Sequence, residues 1–249
     1  MYSQEITWLL REKYHGEKSA AFFSDVEKLE HGIPLAYLIG SIPFLNTTIH
    51  LDSHPLIPRP ETEFWVEKAI KVIQNQTSPV RILDLCAGSG AIGVAVASAI
   101  KTSAVDFIEI ESAHLPTIAK NCRLNSIEAD RVHIYQGNLF AVNTDSQLGQ
   151  YDYILTNPPY IDSSLNRTEK SVLDNEPSLA LFGGNAGLEI INSIIVDAVH
   201  YLNPAGQLWI EHEPEQSSAI QLLGQQHGFA QHTHLDQFNI ERFSVLVLQ

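Results

Sequence analysis

The 249-residue sequence predicts an α/β protein: a seven-stranded, mostly parallel sheet covered by helices, preceded by a short helical segment and a β-hairpin. Three observations predict it. From Val80 onward, short apolar runs alternate with helix-length stretches, the pattern of strands buried on both faces. The last two runs are separated only by "QFNIE", too short for a crossover helix. They therefore pair as a hairpin, or the final strand inserts antiparallel. Before Val80 the pattern differs and reads as a separate N-terminal region.

In chain order, Ile6, Leu9 and Leu10, then Phe22, Phe23, Val26 and Leu29, lie at roughly helical spacing and predict two short helices. Gly32 and Pro34 break them. "AYLIGSIPFLNTTIHLD" alternates apolar and polar residues around turn residues, as a hairpin does. A helix starts near Glu61, where Pro60 or Thr62 opens it. The strands are "VRILDLC", "AVDFIEI", "RVHIYQG", "YDYILTN", "GQLWIEH", "AQHTHLD" and "RFSVLVLQ". Helices fit at Ala91–Lys101, Ser112–Asn125, Gly187–Leu202 and Glu215–His227. We divide the chain into residues 1–54, the helical segment plus hairpin, and residues 55–249, the α/β domain.

Hydrophobic content of 44% and charged content of 18% suit a globular chain. No apolar run approaches the roughly 18 residues of a spanning helix. The N-terminus lacks the basic start and apolar middle of a secretory signal, so a cytoplasmic protein with no membrane association is expected. Two cysteines, Cys86 and Cys122, exclude a disulfide framework. The net charge of −14 lacks the basic footprint of a nucleic-acid binder.

"ILDLCAGSGAIGVAVA" ends a strand on Asp84, turns through Gly88 and Gly90, and opens a helix. Such a turn needs glycine where φ is positive, and free N–H groups at the helix start favour an anion. A dinucleotide pyrophosphate or the carboxylate of S-adenosylmethionine (SAM) meets that need. "CAGSG" is not the dinucleotide pattern, and Asp84 is placed to meet the methionine ammonium, directly or through water. Glu109 ends the second strand about twenty residues on, where an acid takes both ribose hydroxyls. Glu111 is the weaker candidate. After the third strand, Asn138 faces the adenine edge, with Leu139 or Phe140 on its plane. With this loop, the strand count and the antiparallel end describe the Rossmann-like fold of class I SAM-dependent methyltransferases.

"ILTNPPYID" ends the fourth strand on two prolines, which cannot donate to a ladder. At a carboxyl edge, Asn157 and the Pro158 carbonyl offer two acceptors on a stiff platform, matched to a planar –NH2 group, and Tyr160 can stack on its plane. That suits methylation of an amide or aromatic amine. Holding both N–H bonds favours pyramidalisation, aims the lone pair, and stabilises charge developing on nitrogen. No strong base is required, because the alkylated nitrogen is acidic.

With "GIPLAYLIG", "LIPRPETE", "NEPSLALFGG" and "GLEII", these segments resemble the bacterial release-factor glutamine methyltransferases, the PrmC/HemK family. The resemblance runs from Gly32 to the C-terminus. It implies methyl transfer from SAM to the side-chain amide of the glutamine in a release factor's Gly-Gly-Gln loop. Asn157, Pro158, Pro159 and Tyr160 would hold the glutamine, with Arg59, Glu61 and Thr62 as supports. Cys86, Ala87, Gly88, Ser89, Gly90, Glu109, Asn138, Leu139 and Asn157 would fall on or beside the SAM positions. Cys86 stands for the usual first glycine, Glu109 for the commoner Asp, and Asn138 for the usual Asp. About thirty residues precede "GIPLAYLIG", room for roughly two short helices, so a reduced substrate-docking region is expected. A monomer is expected.

His212, His232 and His234 lack zinc spacing, so no metal is expected. The segment Ile161–Gly187, with Asn166, Arg167, Glu176 and Pro177, is long enough to be a lid. Three other readings share parts of this pattern. A nucleic-acid adenine methyltransferase would need a basic track and a target-recognition domain. A SAM-binding module without catalysis would not need Asn157, Pro158 and Tyr160. A ribosomal-protein glutamine methyltransferase shares the chemistry, but "IPRPETE" favours the release-factor branch.

Overall fold

The computed structural model describes residues 3–142, 148–165 and 167–249. Helices α1 (Gln4–Glu12) and α2 (Ala20–Glu30) each start on a serine. The Oγ atoms of Ser3 and Ser19 accept from the N–H groups of Ile6 and Phe22, both at 3.3 Å. A third helix, α3 (Leu35–Ile39), takes the first four residues, Ala36 to Ile39, of the segment that the sequence reading gave to the hairpin. Pro34 presets its entry, and Gly40 ends it at φ 88°, a conformation glycine adopts without strain. The hairpin is therefore only β1 (Ser41–Phe44) and β2 (Thr47–His50). Ile6, Leu9, Phe22 and Leu38 form a small core of the three helices, whereas Phe44 and Ile49 of the hairpin join the larger core.

The chain continues through α4 (Pro60–Ile73), β3 (Arg81–Leu85), α5 (Ala91–Ala99), β4 (Ala104–Glu109), α6 (Leu115–Leu124), β5 (Val132–Asn138), β6 (Ala141–Val142) and β7 (Tyr151–Thr156). Two short helices follow, α7 (Lys170–Asn175) and α8 (Ser178–Leu181). Then come α9 (Glu189–Ala198), β8 (Leu202–Glu211), α10 (Ser217–Gln226), β9 (Phe229–Leu235) and β10 (Glu241–Leu248). The main sheet has the order β6-β5-β4-β3-β7-β8-β10-β9. Strands β5 to β8 in that order are parallel, and β10 is antiparallel to both β8 and β9. Both readings of the final strand thus hold together. The sheet has eight strands rather than seven, because β6 adds two residues antiparallel to β5. A two-residue strand is too short to carry a periodic signal.

Helices α4, α5 and α6 cover one face of the sheet, and α9 and α10 the other. Burial alternates accordingly: Ile82, Leu155 and Trp209 face the first layer, and Leu83, Ile154 and Leu208 the second. Trp65 of α4 is fully buried and stacks on Trp209 and Phe243, with ring centroids 6.5 and 6.2 Å away. That stack fixes α4 against β8 and β10. Helix α5 approaches β4 so closely that a Cβ on Gly93 would lie 2.3 Å from the Phe107 ring. Only glycine fits there.

His212 follows β8 and has no exposed surface. Its Nδ1–H donates to the Glu213 carbonyl at 2.9 Å, so Nε2 accepts from Ser244 Oγ at 2.8 Å. Burial pushes its pKa down from 6.5 to about 4. The unfolded chain therefore binds the extra proton first. The stabilisation is complete above pH 6.5 and is lost as pH falls toward 4, roughly 3 kcal/mol in all. Urea denaturation between pH 7 and pH 4 should show this loss, and His212→Asn should flatten that part of the profile. An equally steep profile in the variant would refute it.

Candidate active site

The sheet switches direction at β3: β4 and β5 extend to one side, β7 and β8 to the other. Ligands of open α/β sheets bind outside the carboxyl ends of strands at such a point. Every strand facing this edge ends on a residue of interest. Leu85 pairs with Thr156, and Thr156 with Ile210, so Cys86, Asn157 and Glu211 lie side by side one step beyond. The Thr156 hydroxyl ties two of these ends together by donating to the Leu85 carbonyl at 2.7 Å.

A cavity of about 230 Å³ opens on the β4–β5 side of this edge, lined by Cys86, Gly88, Glu109, Asn138, Leu139, Asn157 and Pro159, with apolar Ile108, Ile110 and Phe182. Glu109 is buried, and its two oxygens accept from the N–H groups of Gly88 and Glu111 at 2.7 and 2.8 Å. These residues fit SAM: a strand-end carboxylate for a ribose diol, an apolar wall and an amide for adenine, and a glycine turn for the amino-acid end. Cys86 holds φ at 61° and Leu139 at 52°, left-handed conformations that strain side-chain-bearing residues. The first glycine of this loop type is free of that strain. Burial, reinforced by the Glu109 charge, pushes the Cys86 thiol up to about 12, so it stays protonated.

Asp84, Ala87, Ser89 and Gly90 do not line this cavity. Asp84 is fully buried, and its Oδ2 accepts from Gly93 N–H at 2.8 Å. Through this bond it caps the N-terminus of α5. Its other oxygen, Oδ1, has no partner among the described residues. Burial, with the Glu109 charge adding, raises its pKa well above the usual carboxylate range.

A second cavity, about 340 Å³, lies on the other side of Asn157 and is lined by Arg59, Pro158, Tyr160, Asp162, Arg167 and Glu213 among others. Asn157, Leu56 and Ala180 line both cavities. Glu61 lines neither; it lies half-buried in the first turn of α4. Thr62, one turn into the same helix, is buried and accepts from Asn157 Nδ2 at 3.1 Å. The Thr62 hydroxyl in turn donates to Glu211 Oε2 at 2.7 Å. Glu211 also accepts from Trp65 Nε1 at 2.7 Å and from the Tyr160 hydroxyl at 2.9 Å. Burial raises the Glu211 pKa, against the pull of these three donors. The Tyr160 pKa is raised by burial and by the Glu211 charge.

The segment 161–187 folds over the second cavity through α7 and α8, with a parallel bridge between Ile161 and Phe182. Glu176 holds it down. Its buried carboxylate accepts from Arg59 Nη2 at 2.6 Å and from Ile57 N–H at 3.0 Å. Arg59 is thus engaged with the lid as well as lining the cavity. Asn166 lies outside the described residues.

The structure brings together Asn157, Pro158, Pro159, Tyr160, Cys86, Gly88, Glu109, Asn138 and Leu139. Sequence reasoning missed Glu211 and Trp65, and it placed Glu176 in the lid without a role. A charged residue ending an otherwise apolar strand, "LWIEH", at the same edge as Glu109 and Asn157 is the signal that could have found Glu211. Among the described residues, no group of three or more His, Cys, Asp or Glu is arranged to hold a metal, and no helix is long and apolar enough to cross a membrane.

Residues 52–190 match the family model described as "Conserved hypothetical protein 95". A release factor glutamine methyltransferase of Rhodopirellula baltica is 36% identical over 88% of this chain and 74% of its own length. One of Lactococcus lactis is 32% identical over 89% of this chain and 80% of its own length. The solved methyltransferase of Pyrococcus furiosus superposes with a TM-score of 0.59 at 15% identity, covering 90% of this chain and 97% of that one, which shows a shared fold.

Glu176→Ala should free the lid by removing about 2 kcal/mol of charge-assisted hydrogen bonding. Limited trypsin digestion reads this directly, because Arg167 and Lys170 lie inside the segment. Cleavage there should accelerate about tenfold or more, in line with a larger open population. Unchanged cleavage rates would show that Glu176 does not hold the lid.

Proposed function

The chain belongs to the release factor glutamine methyltransferases, and from that premise we propose that it methylates the side-chain amide nitrogen of a glutamine in peptide chain release factors. The observation that carries this reading is the double lining of Asn157. One cavity fits SAM, the other is open to a peptide side chain, and the two meet at the residue suited to hold a planar amide.

When bound, SAM supplies an electrophilic methyl group on a sulfonium sulfur. In this reading Glu109 takes the ribose hydroxyls, and Asn138 and Leu139 take the adenine. Cys86 and Gly88, the two residues of the turn that line this cavity, seat the amino-acid end. Asn157 Oδ1 and the Pro158 carbonyl accept the two N–H bonds of the glutamine amide. Pro158 has no N–H to compete, and Pro159 keeps the turn rigid. Tyr160 presents its ring to the amide plane, its hydroxyl already tied to Glu211. Both acceptors strengthen their bonds as positive charge develops on nitrogen, which is where stabilisation accelerates the step. The alkylated nitrogen then loses its proton to water.

Release factors as substrate imply a cytoplasmic setting, and a single chain supplies every group named here. The adenine reading gains no support from relatives named for glutamine methylation.

Mass spectrometry of a purified release factor incubated with the protein and SAM should show one added methyl group on the Gly-Gly-Gln glutamine. Asn157→Ala should lower the rate by about 10²- to 10³-fold, the usual cost of removing one transition-state hydrogen-bonding group. Methylation of a ribosomal protein in place of the release factor would overturn the substrate assignment.

A further inference from the structure

Asn157 must present its carbonyl oxygen, not its –NH2 group, to a substrate amide. Nothing in the asparagine itself enforces that choice, because the two ends of the amide have nearly the same shape. The neighbouring bonds enforce it. Trp65 Nε1–H can only donate, so the atom it meets, Glu211 Oε2 at 2.7 Å, must be an acceptor. As a carboxylate oxygen Oε2 has no hydrogen to give, so the Thr62 hydroxyl, 2.7 Å away, donates to it. Thr62 Oγ1 is left with lone pairs only, so the Asn157 atom at 3.1 Å must be the nitrogen. Oδ1 then points the other way.

We propose that Glu211 is a positioning residue that sets the direction of Asn157's amide through Thr62, with Trp65 fixing the sense of the whole relay. The inference rests on the glutamine-methylation reading above. Glu211 touches no substrate; its effect reaches the reacting amide through one hydroxyl. The second arm of the same carboxylate, Oε1 on the Tyr160 hydroxyl at 2.9 Å, holds the ring that closes the other side of the site. One buried side chain thereby sets two of the groups that surround the substrate nitrogen. The relay also joins α4, β7 and β8, elements that meet only in the folded chain.

The relay makes an unusual demand on substitutions. It requires an acceptor at the Oε2 position rather than a negative charge. Glu211→Gln should turn its carbonyl oxygen to Trp65 and Thr62 and its –NH2 toward Tyr160, leaving the relay intact. Glu211→Leu and the near-isosteric Thr62→Val should break it. Thr62→Ser should restore it.

The test measures hydrogen exchange of the Asn157 side-chain –NH2 by NMR, with the resonance assigned by its loss in Asn157→Asp. It is paired with steady-state kinetics on a release factor, SAM binding and thermal melting. Exchange should be slow in the wild type, Glu211→Gln and Thr62→Ser. It should speed up in Glu211→Leu and Thr62→Val, with kcat about 10- to 100-fold lower and SAM affinity little changed. If Glu211→Leu does not fold, Thr62→Val still decides the matter. Slow exchange and unaltered kcat in folded Thr62→Val would overturn the proposal, as would fast exchange in Glu211→Gln. A wild-type protein that leaves release factors unmethylated would defeat the functional reading, while the exchange measurement would still judge the relay.

Discussion

A buried carboxylate must be hydrogen-bonded or it unfolds its surroundings, and Glu211 at the end of β8 is 1% exposed. Its three donors come from Thr62, Trp65 and Tyr160, on α4 and on the turn after β7. Satisfying one side chain therefore fixes where a helix and a loop lie relative to the sheet. The aromatic stack of Trp65 on Trp209 and Phe243 supplies the apolar half of the same constraint. Trp65 takes part in both, with its ring in the core and its N–H on the carboxylate. Disturbing α4 therefore disturbs the site, although no residue of α4 lines either cavity.

The two cavities depend on the sheet for the same reason. Parallel strands bring their carboxyl ends to one edge, and the reversal of strand order at β3 leaves a crevice there. Glu109 serves one side of that crevice, and the Asn-Pro-Pro-Tyr turn divides it from the other. Asp84 supports the arrangement from below, capping α5 through Gly93, the glycine that lets the helix approach Phe107. Its burial raises its pKa well above the usual carboxylate range.

Two segments that lie far apart in the chain, "LIPRPETE" and "NEPSLALFGG", make sense as one device once folded. Glu176 of the second accepts from Arg59 and Ile57 of the first. A long connection between β7 and α9 is thereby drawn over the second cavity instead of extending into solvent. The buried carboxylate accounts for the pairing in terms of hydrogen bonds: out of water it needs donors, and Arg59 and Ile57 supply them.

By itself the sequence determined the elements whose signals are local. The apolar runs placed all seven predicted strands, the glycine turn located the loop after β3, and the double proline marked the end of β7, because each is written in consecutive residues. It also singled out Glu109 and Asn157 through their spacing from those marks. Only the tertiary structure decided that Leu35–Ile39 is a helix, since Gly40 closes it with a conformation that alternation in the sequence does not encode. Only the tertiary structure turned Asp84 toward α5 and placed Glu211 on Thr62, 149 positions away. The physical reason is the same in each case. A buried polar group takes whichever partner three-dimensional proximity supplies, and that proximity comes from the whole sheet rather than from neighbours in the chain.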